Sequence, residues 1–112
     1  MEVAELAAAE DEIPASRSVA AALAVLSGIA SADAACCAAL GRRSRGEDHR
    51  EEAALLRQIV PAGDRAAKAL LELISLKDTA QYGLIPITRR ELTTTLRRAM
   101  TLLDFAADVL RR

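Results

Sequence analysis

The sequence predicts an all-α protein, an antiparallel up-and-down four-helix bundle with a possible short extra N-terminal helix. Apolar residues recur at three- and four-residue spacing over most of the chain, no stretch alternates like a strand, and Gly or Pro separates the periodic segments. Short connections of this kind join antiparallel helices. The 112 residues suffice for one domain. We expect residues 1–15 to form an acidic helix or tail and residues 16–112 to form the bundle.

The first long helix is predicted to begin at Ser16, a candidate N-cap, and to end before Gly41, a typical C-cap residue. Its apolar stripe, expected to face the core, consists of Val19, Leu23, Leu26, Ala30, Cys37 and Leu40. Asp33 occupies a place in this stripe where an apolar residue is expected. A buried carboxylate is costly without a partner, so Asp33 either interacts with His49 or Lys77 or lies in water at the edge of the stripe.

Two further helices are predicted in the middle of the chain. One begins at residue 47 or 48, carries acids in its first turns, and ends at Val60 before Pro61. Asp64 is the candidate N-cap of the next, which ends at Tyr82-Gly83.

The last helix has the clearest start. Thr88 and Glu91 fit a capping box, in which each side chain accepts a hydrogen bond from the other residue's backbone. Apolar residues then follow at alternating four- and three-residue steps, a seam suited to helix packing. They are Leu92, Leu96, Ala99, Leu103, Ala106 and Leu110.

Composition excludes several classes of function. Fifteen Lys and Arg against sixteen Asp and Glu give a net charge of −1, which argues against wholesale nucleic-acid coating. The sequence contains neither a Gly-rich phosphate loop nor a nucleophile elbow. Cys36 and Cys37 are too few for a four-ligand zinc site and are expected to be reduced core thiols. We therefore expect no metal and no cofactor.

The apolar stretch 18–40 is long enough to span a bilayer, but Asp33 and its Ala content weigh against a membrane span. We expect a cytoplasmic protein. Because an Ala-rich core with two aromatic residues, Tyr82 and Phe105, buries little area, a homodimer is also expected.

The only histidine lies in an Arg-rich connection, with Arg42, Arg43 and Arg45 before His49. Such a loop is where binding or acid–base chemistry is expected. In metal-free RNA cleavage, Arg43 would hold the phosphate while His49 moves the 2′-hydroxyl proton. Alternatively, His49 only bonds a loop carbonyl or a nearby acid.

A second polar group lies at the predicted end of the third helix, where Lys77, Asp78 and Tyr82 could line a cleft. A lysine at this place also stabilises the helix C-terminus without any function.

Three segments carry a family resemblance: the small-residue helix 31–40, the run Glu47-Asp48-His49-Arg50, and residues 76–83 before the capped last helix. In pattern and order, residues 18–110 resemble the HEPN family of small helical bundles. The resemblance implies a four-helix domain, frequent dimerisation with a cleft at the interface, and in many members metal-independent RNase or toxin activity. The family's nuclease signature places an Arg and then a His on a later helix, where this chain has Lys77 and Tyr82.

The sequence therefore favours binding over catalysis. The first hypothesis is a HEPN-like domain that binds a nucleotide or RNA at a cleft of eight residues. They are Asp33, Arg42, Arg43, Arg45, His49, Lys77, Asp78 and Tyr82. One alternative is a metal-independent ribonuclease or toxin that uses His49 and Arg43, with a partner protein such as an antitoxin. The other is a structural dimerisation or protein-interaction bundle.

Overall fold

The computed structural model describes residues 14–42, 49–81 and 87–112. These residues form four α-helices and no strand. The helices are α1 (Pro14–Leu40), α2 (His49–Arg57), α3 (Gly63–Gln81) and α4 (Arg89–Arg111). The predicted all-α four-helix bundle is confirmed. The possible extra helix and most of the predicted tail fall on residues 1–13, outside the described residues.

Helices α1 and α4 run in the same direction. Ala21 of α1 and Thr95 of α4 line one small cavity, and farther along both helices Gly28 lies against Ala99. The chain returns between them through α3, whose Leu76 lies in the cavity beside Ala21 while its earlier residue, Leu73, reaches Gly28. The up-and-down alternation thus holds for α1, α3 and α4.

The short α2 explains this arrangement. It has 9 residues against 27 in α1, so it spans about 13 Å where α1 spans about 40 Å. It is too short to run back along the full length of α1, and it packs on α1 and α3.

Small residues on one side of α1 let the helices approach closely. This side is buried and consists mainly of Ala20, Ala21, Ala24, Val25, Ala32, Ala35 and Cys36. A Cβ at Gly28 would overlap Leu73 Cδ1 and lie 3.3 Å from Leu102 Cδ1. The bulk of the core therefore comes from leucines of the other helices, which fill the space that alanine leaves.

Three of the predicted helix ends are wrong. Ser16 lies inside α1, which begins at Pro14, since the fixed φ of proline suits a first helical turn. Helix α2 ends at Arg57, three residues before Val60. The amides of the next two residues donate to carbonyls three residues back, at 3.1 and 3.0 Å, which tightens and ends the helix. Asp64 lies inside the first turn of α3 and does not cap it.

Ala62 and Gly63, rather than Asp64, determine where α3 begins. The carbonyl of Ala62 accepts from the amide of Ala66 at 3.1 Å, as an N-cap carbonyl does. Gly63 follows, and a Cβ there would collide with the carbonyl oxygen of Leu56. Glycine therefore permits the tight return from α2 into α3.

The predicted Gly41 and Thr88 signals are confirmed. Gly41 has φ +70 directly after α1. Thr88 Oγ1 accepts from the Glu91 amide at 3.1 Å, and the Thr88 amide donates to Glu91 Oε1 at 3.2 Å.

The predicted α4 seam is correct in one of its two rows and, in the other, only at Leu96, which is partly buried against the core. Leu92, Ala99 and Ala106 are buried, but Leu103 and Leu110 are 37% and 61% exposed. The second buried row is instead Thr95, Leu102, Phe105 and Val109. From the row of Leu92, Ala99 and Ala106, a second row three residues on and one four residues on fit a helix equally well, so spacing alone does not choose between them. Thr95 tolerates burial because its hydroxyl donates to the Glu91 carbonyl at 2.7 Å.

Candidate functional site

The residues predicted to form one cleft are divided between the two ends of the bundle. Arg42 lies exposed just beyond the C-terminal end of α1, and His49 is the half-buried first residue of α2. Lys77 and Asp78 lie in the last turns of α3, which end near the N-terminal half of α1. About 30 Å of α1 separates these levels.

One chain therefore does not bring Lys77 and Asp78 together with Arg42 and His49. The reason is the direction of α3, which runs opposite to α1. Arg43, Arg45 and Tyr82 lie outside the described residues.

Asp33 belongs to a corner where α1 meets α2. Its side chain is half-buried, and Glu52 of α2 is 2% exposed. Burial raises the pKa of the Cys36 thiol to about 12, with further contributions from the negative charges of Glu52 and Asp33. Cys36 is thus protonated at neutral pH and unsuited to nucleophilic chemistry.

The sequence did not predict that Glu52 is buried, because the helix dipole alone accounts for acidic residues in the first turn of a helix. Its position carried a signal, since Glu52, Leu56 and Ile59 share one helix face by their spacing of four and three.

Cations gather at the end of the bundle where α1 and α4 both finish. Arg42 follows α1, and Arg111 and Arg112 end α4. Arg112 donates to the Val60 carbonyl at 2.8 Å and pairs with Asp108 at 2.9 Å, so its guanidinium is committed within the fold. Arginines at helix C-termini also offset the helix dipole, which accounts for part of this grouping.

An open cleft of about 160 Å³ lies between α3 and α4. Arg98 forms an ion pair with Glu72 there, and the Thr101 hydroxyl donates to the Arg97 carbonyl at 3.0 Å. Arg65 and Lys68 supply its exposed cations. Two cations on an open helix surface are typical of a solvated face.

The most distinctive surface is the outer side of α1. Val19 and Leu26 are 55% and 61% exposed. We call the row of residues at alternating steps of four and three the outer seam: Val19, Leu23, Leu26, Ala30, Asp33 and Cys37. Ala30 and Cys37 are exposed, and Leu23 and Asp33 are half-buried.

The outer seam contains five of the six residues of the stripe that the sequence predicted to face the core, so that prediction is wrong for most of the stripe. Its sixth residue, Leu40, is partly buried and packs against the core. The structure instead turns the Ala and Gly side of α1 inward, because only small side chains fit against Leu73 and Leu102. Cys37 is on the outer seam and is not a core thiol, unlike Cys36.

Helix α1 also meets the length and composition test for a membrane span over Arg17–Leu40. A core helix of a soluble protein and a signal sequence meet the same test. Within the described residues, no group of three or more His, Cys, Asp or Glu side chains is placed to hold a metal ion.

No protein-family model, curated protein or solved structure matches this chain. The function is therefore argued from the geometry above.

Proposed function

We propose that this protein is a self-associating interaction module, a helical bundle that forms a homodimer through the outer seam of α1. The observation that carries this proposal is the exposure of Val19 and Leu26 within a row of alternating four- and three-residue steps. That spacing is the one by which two helices interlock along a seam.

A second copy suits this surface for a chemical reason. Between Arg17 and Arg42 the only charged residue of α1 is Asp33. An apolar face requires an apolar partner, and a two-fold dimer supplies the same face from the other copy. Burying the exposed part of each large side chain contributes about 1 kcal/mol, counted once for each copy.

The size of the seam sets the expected affinity. It spans about 27 Å of helix with a width of about 10–12 Å, or roughly 300 Å² of projected area per copy. This is below the roughly 800 Å² per partner of a standard specific interface and is typical of weak contacts. We therefore expect association that depends on concentration rather than a permanent dimer.

Sedimentation equilibrium over a range of protein concentrations tests the proposal. The wild type should shift from the 11.9 kDa monomer toward twice that mass. Leu26→Glu should remain monomeric, because it places a carboxylate in the seam. Val60→Glu is the matched control, since Val60 is 76% exposed and lies outside α1.

Circular dichroism should show the same helix content in all three proteins. A monomeric wild type at every concentration, or a Leu26→Glu protein that associates like the wild type, would contradict the proposal.

A second candidate function is anion binding at the end of the bundle that holds Arg42, with RNA or a nucleotide as the ligand. Its supporting observation is the parallel course of α1 and α4, which places Arg42 and Arg111 at the same end of the bundle. The sequence adds Arg43 and Arg45 between Arg42 and His49. The HEPN resemblance points in the same direction, and an antitoxin-like partner stays a prediction.

Incubation with a mixed RNA pool in excess EDTA separates these outcomes. Gel retention lost in Arg42→Ala supports anion binding, and cleavage lost in His49→Ala supports the ribonuclease alternative. Arg90→Ala is the control, because Arg90 lies exposed at the opposite end of the bundle. Intact and unretained RNA would exclude this candidate.

A further inference from the structure

The outer seam changes in side-chain size along its length. Its first three members, Val19, Leu23 and Leu26, are branched aliphatic residues. Its last three, Ala30, Asp33 and Cys37, are small or short. A surface with one bulky and one thin half does not fit a copy of itself equally well in both orientations.

In a parallel pair, each bulky half meets the partner's bulky half and each thin half meets the partner's thin half. The helices would be held apart at one end, and a gap would remain at the other, where contacts are lost. In an antiparallel pair, the bulky half of each copy lies on the thin half of the other. Large and small residues then alternate across the interface at a constant helix separation.

Charge favours the same orientation. Parallel pairing in register places two Asp33 carboxylates across the seam from each other, and like charges at short range repel. Antiparallel pairing about Gly28 separates the levels of the two carboxylates by ten residues, or about 15 Å along the helix axis, which weakens their repulsion.

We propose that two copies pair antiparallel along α1, with a two-fold axis at the level of Gly28. This inference depends on the proposed dimer and specifies its geometry. Leu26 of each copy then lies against the partner's Ala30, and Leu23 lies beside the partner's Asp33. Val19 lies against the partner's Cys37.

Disulfide trapping distinguishes the two orientations, because a disulfide requires Cα atoms within about 7 Å. Cys37 supplies an exposed thiol on the seam, whereas Cys36 is buried. Val19→Cys adds a second seam thiol at the position that antiparallel pairing sets against the partner's Cys37. The three proteins to oxidise mildly are wild type, Val19→Cys, and Val19→Cys combined with Cys37→Ser.

We expect Val19→Cys to form covalent dimers at least tenfold faster than the other two proteins. Parallel pairing sets Cys37 against Cys37 and position 19 against position 19, so the wild type and the double variant would also be trapped, and Val19→Cys would be no faster than the two rates combined. Trapping of the wild type or of the double variant at a rate comparable to that of Val19→Cys would overturn the antiparallel geometry.

Three further outcomes separate this inference from the function on which it depends. Dimers by sedimentation without trapping in any of the three proteins would overturn the antiparallel seam, because another surface then forms the interface. Monomers by sedimentation would overturn the dimer itself. Binding to phospholipid vesicles by a monomeric protein would identify a membrane surface as the occupant and would also overturn the proposal.

Discussion

Cys36 and Cys37 are neighbours in the sequence but lie in opposite environments of α1. Cys36 is 0% exposed beside the buried Glu52, whereas Cys37 is exposed on the outer seam. Successive side chains on a helix point about 100° apart, so one position can face the core while the next faces solvent. The two thiols therefore report on the core and on the proposed interface independently.

Thiol labelling should resolve the two cysteines. At neutral pH and low protein concentration, a maleimide should modify Cys37 quickly and Cys36 only at the rate at which the fold opens. The reacting species is the thiolate, and Cys36 is both inaccessible and protonated. Stopped-flow or mass-spectrometric labelling measures the two rates. The control Cys37→Ser should lose the fast phase, and equal rates for both thiols would contradict this assignment.

The raised pKa of Cys36 predicts a loss of stability in alkali. An unfolded chain releases this proton near the ordinary pKa of 9.0, whereas the folded protein holds it to about 12. Between these values the folded state binds more protons, so the free energy of unfolding falls as pH rises, by at most about 1.4 kcal/mol per pH unit. Below pH 9 this term is absent.

Urea unfolding of the wild type and of Cys36→Ala, compared at several pH values from neutral to alkaline, measures this term. Other titrating groups contribute equally to both proteins, so the difference in their unfolding free energies isolates the thiol. A difference independent of pH would contradict the raised pKa.

The features that the sequence predicted correctly depend on a few neighbouring residues. The capping box joins Thr88 and Glu91, which are only three positions apart in the chain. Gly41 ends α1 through its own backbone angle. Such signals do not depend on how the helices are packed.

The face of α1 that points inward could not be predicted from periodicity. Almost every position of this helix is apolar, so the pattern distinguishes no face, and the larger residues suggested the wrong one. The tight contact of Gly28 with α3 and α4 determines which face of α1 points inward, because only small side chains fit there.

The positions of the predicted site residues relative to one another could not be predicted from the sequence for a related reason. The convergence of Lys77 and Asp78 with Arg42 and His49 depends on helix directions. Those directions follow from the short length of α2. No residue type in the sequence indicates that this helix ends as early as Arg57.

The adjacent leucines of α4 test which row of its seam is buried. Leu102→Ala should lower the free energy of unfolding by about 2–5 kcal/mol, since it leaves a cavity at a fully buried position. Leu103→Ala, at a position 37% exposed, should cost less than about 1 kcal/mol. Denaturant unfolding measures both. A larger loss in Leu103→Ala than in Leu102→Ala would indicate that the row predicted from the sequence is the buried one.

The capping box of α4 should stabilise the fold measurably. Thr88→Ala removes the acceptor for the Glu91 amide, and the expected loss is about 1 kcal/mol, within the range of about 0.5–2 kcal/mol for such caps. Thr93→Ala is a matched control, because Thr93 is exposed on the same helix and its hydroxyl only donates to the Arg89 carbonyl at 2.9 Å. Its effect should stay within about 0.5 kcal/mol. Thermal unfolding compares the two variants. A loss in Thr93→Ala as large as that in Thr88→Ala would contradict the contribution of the cap, since alanine has the higher helix propensity of the two residues.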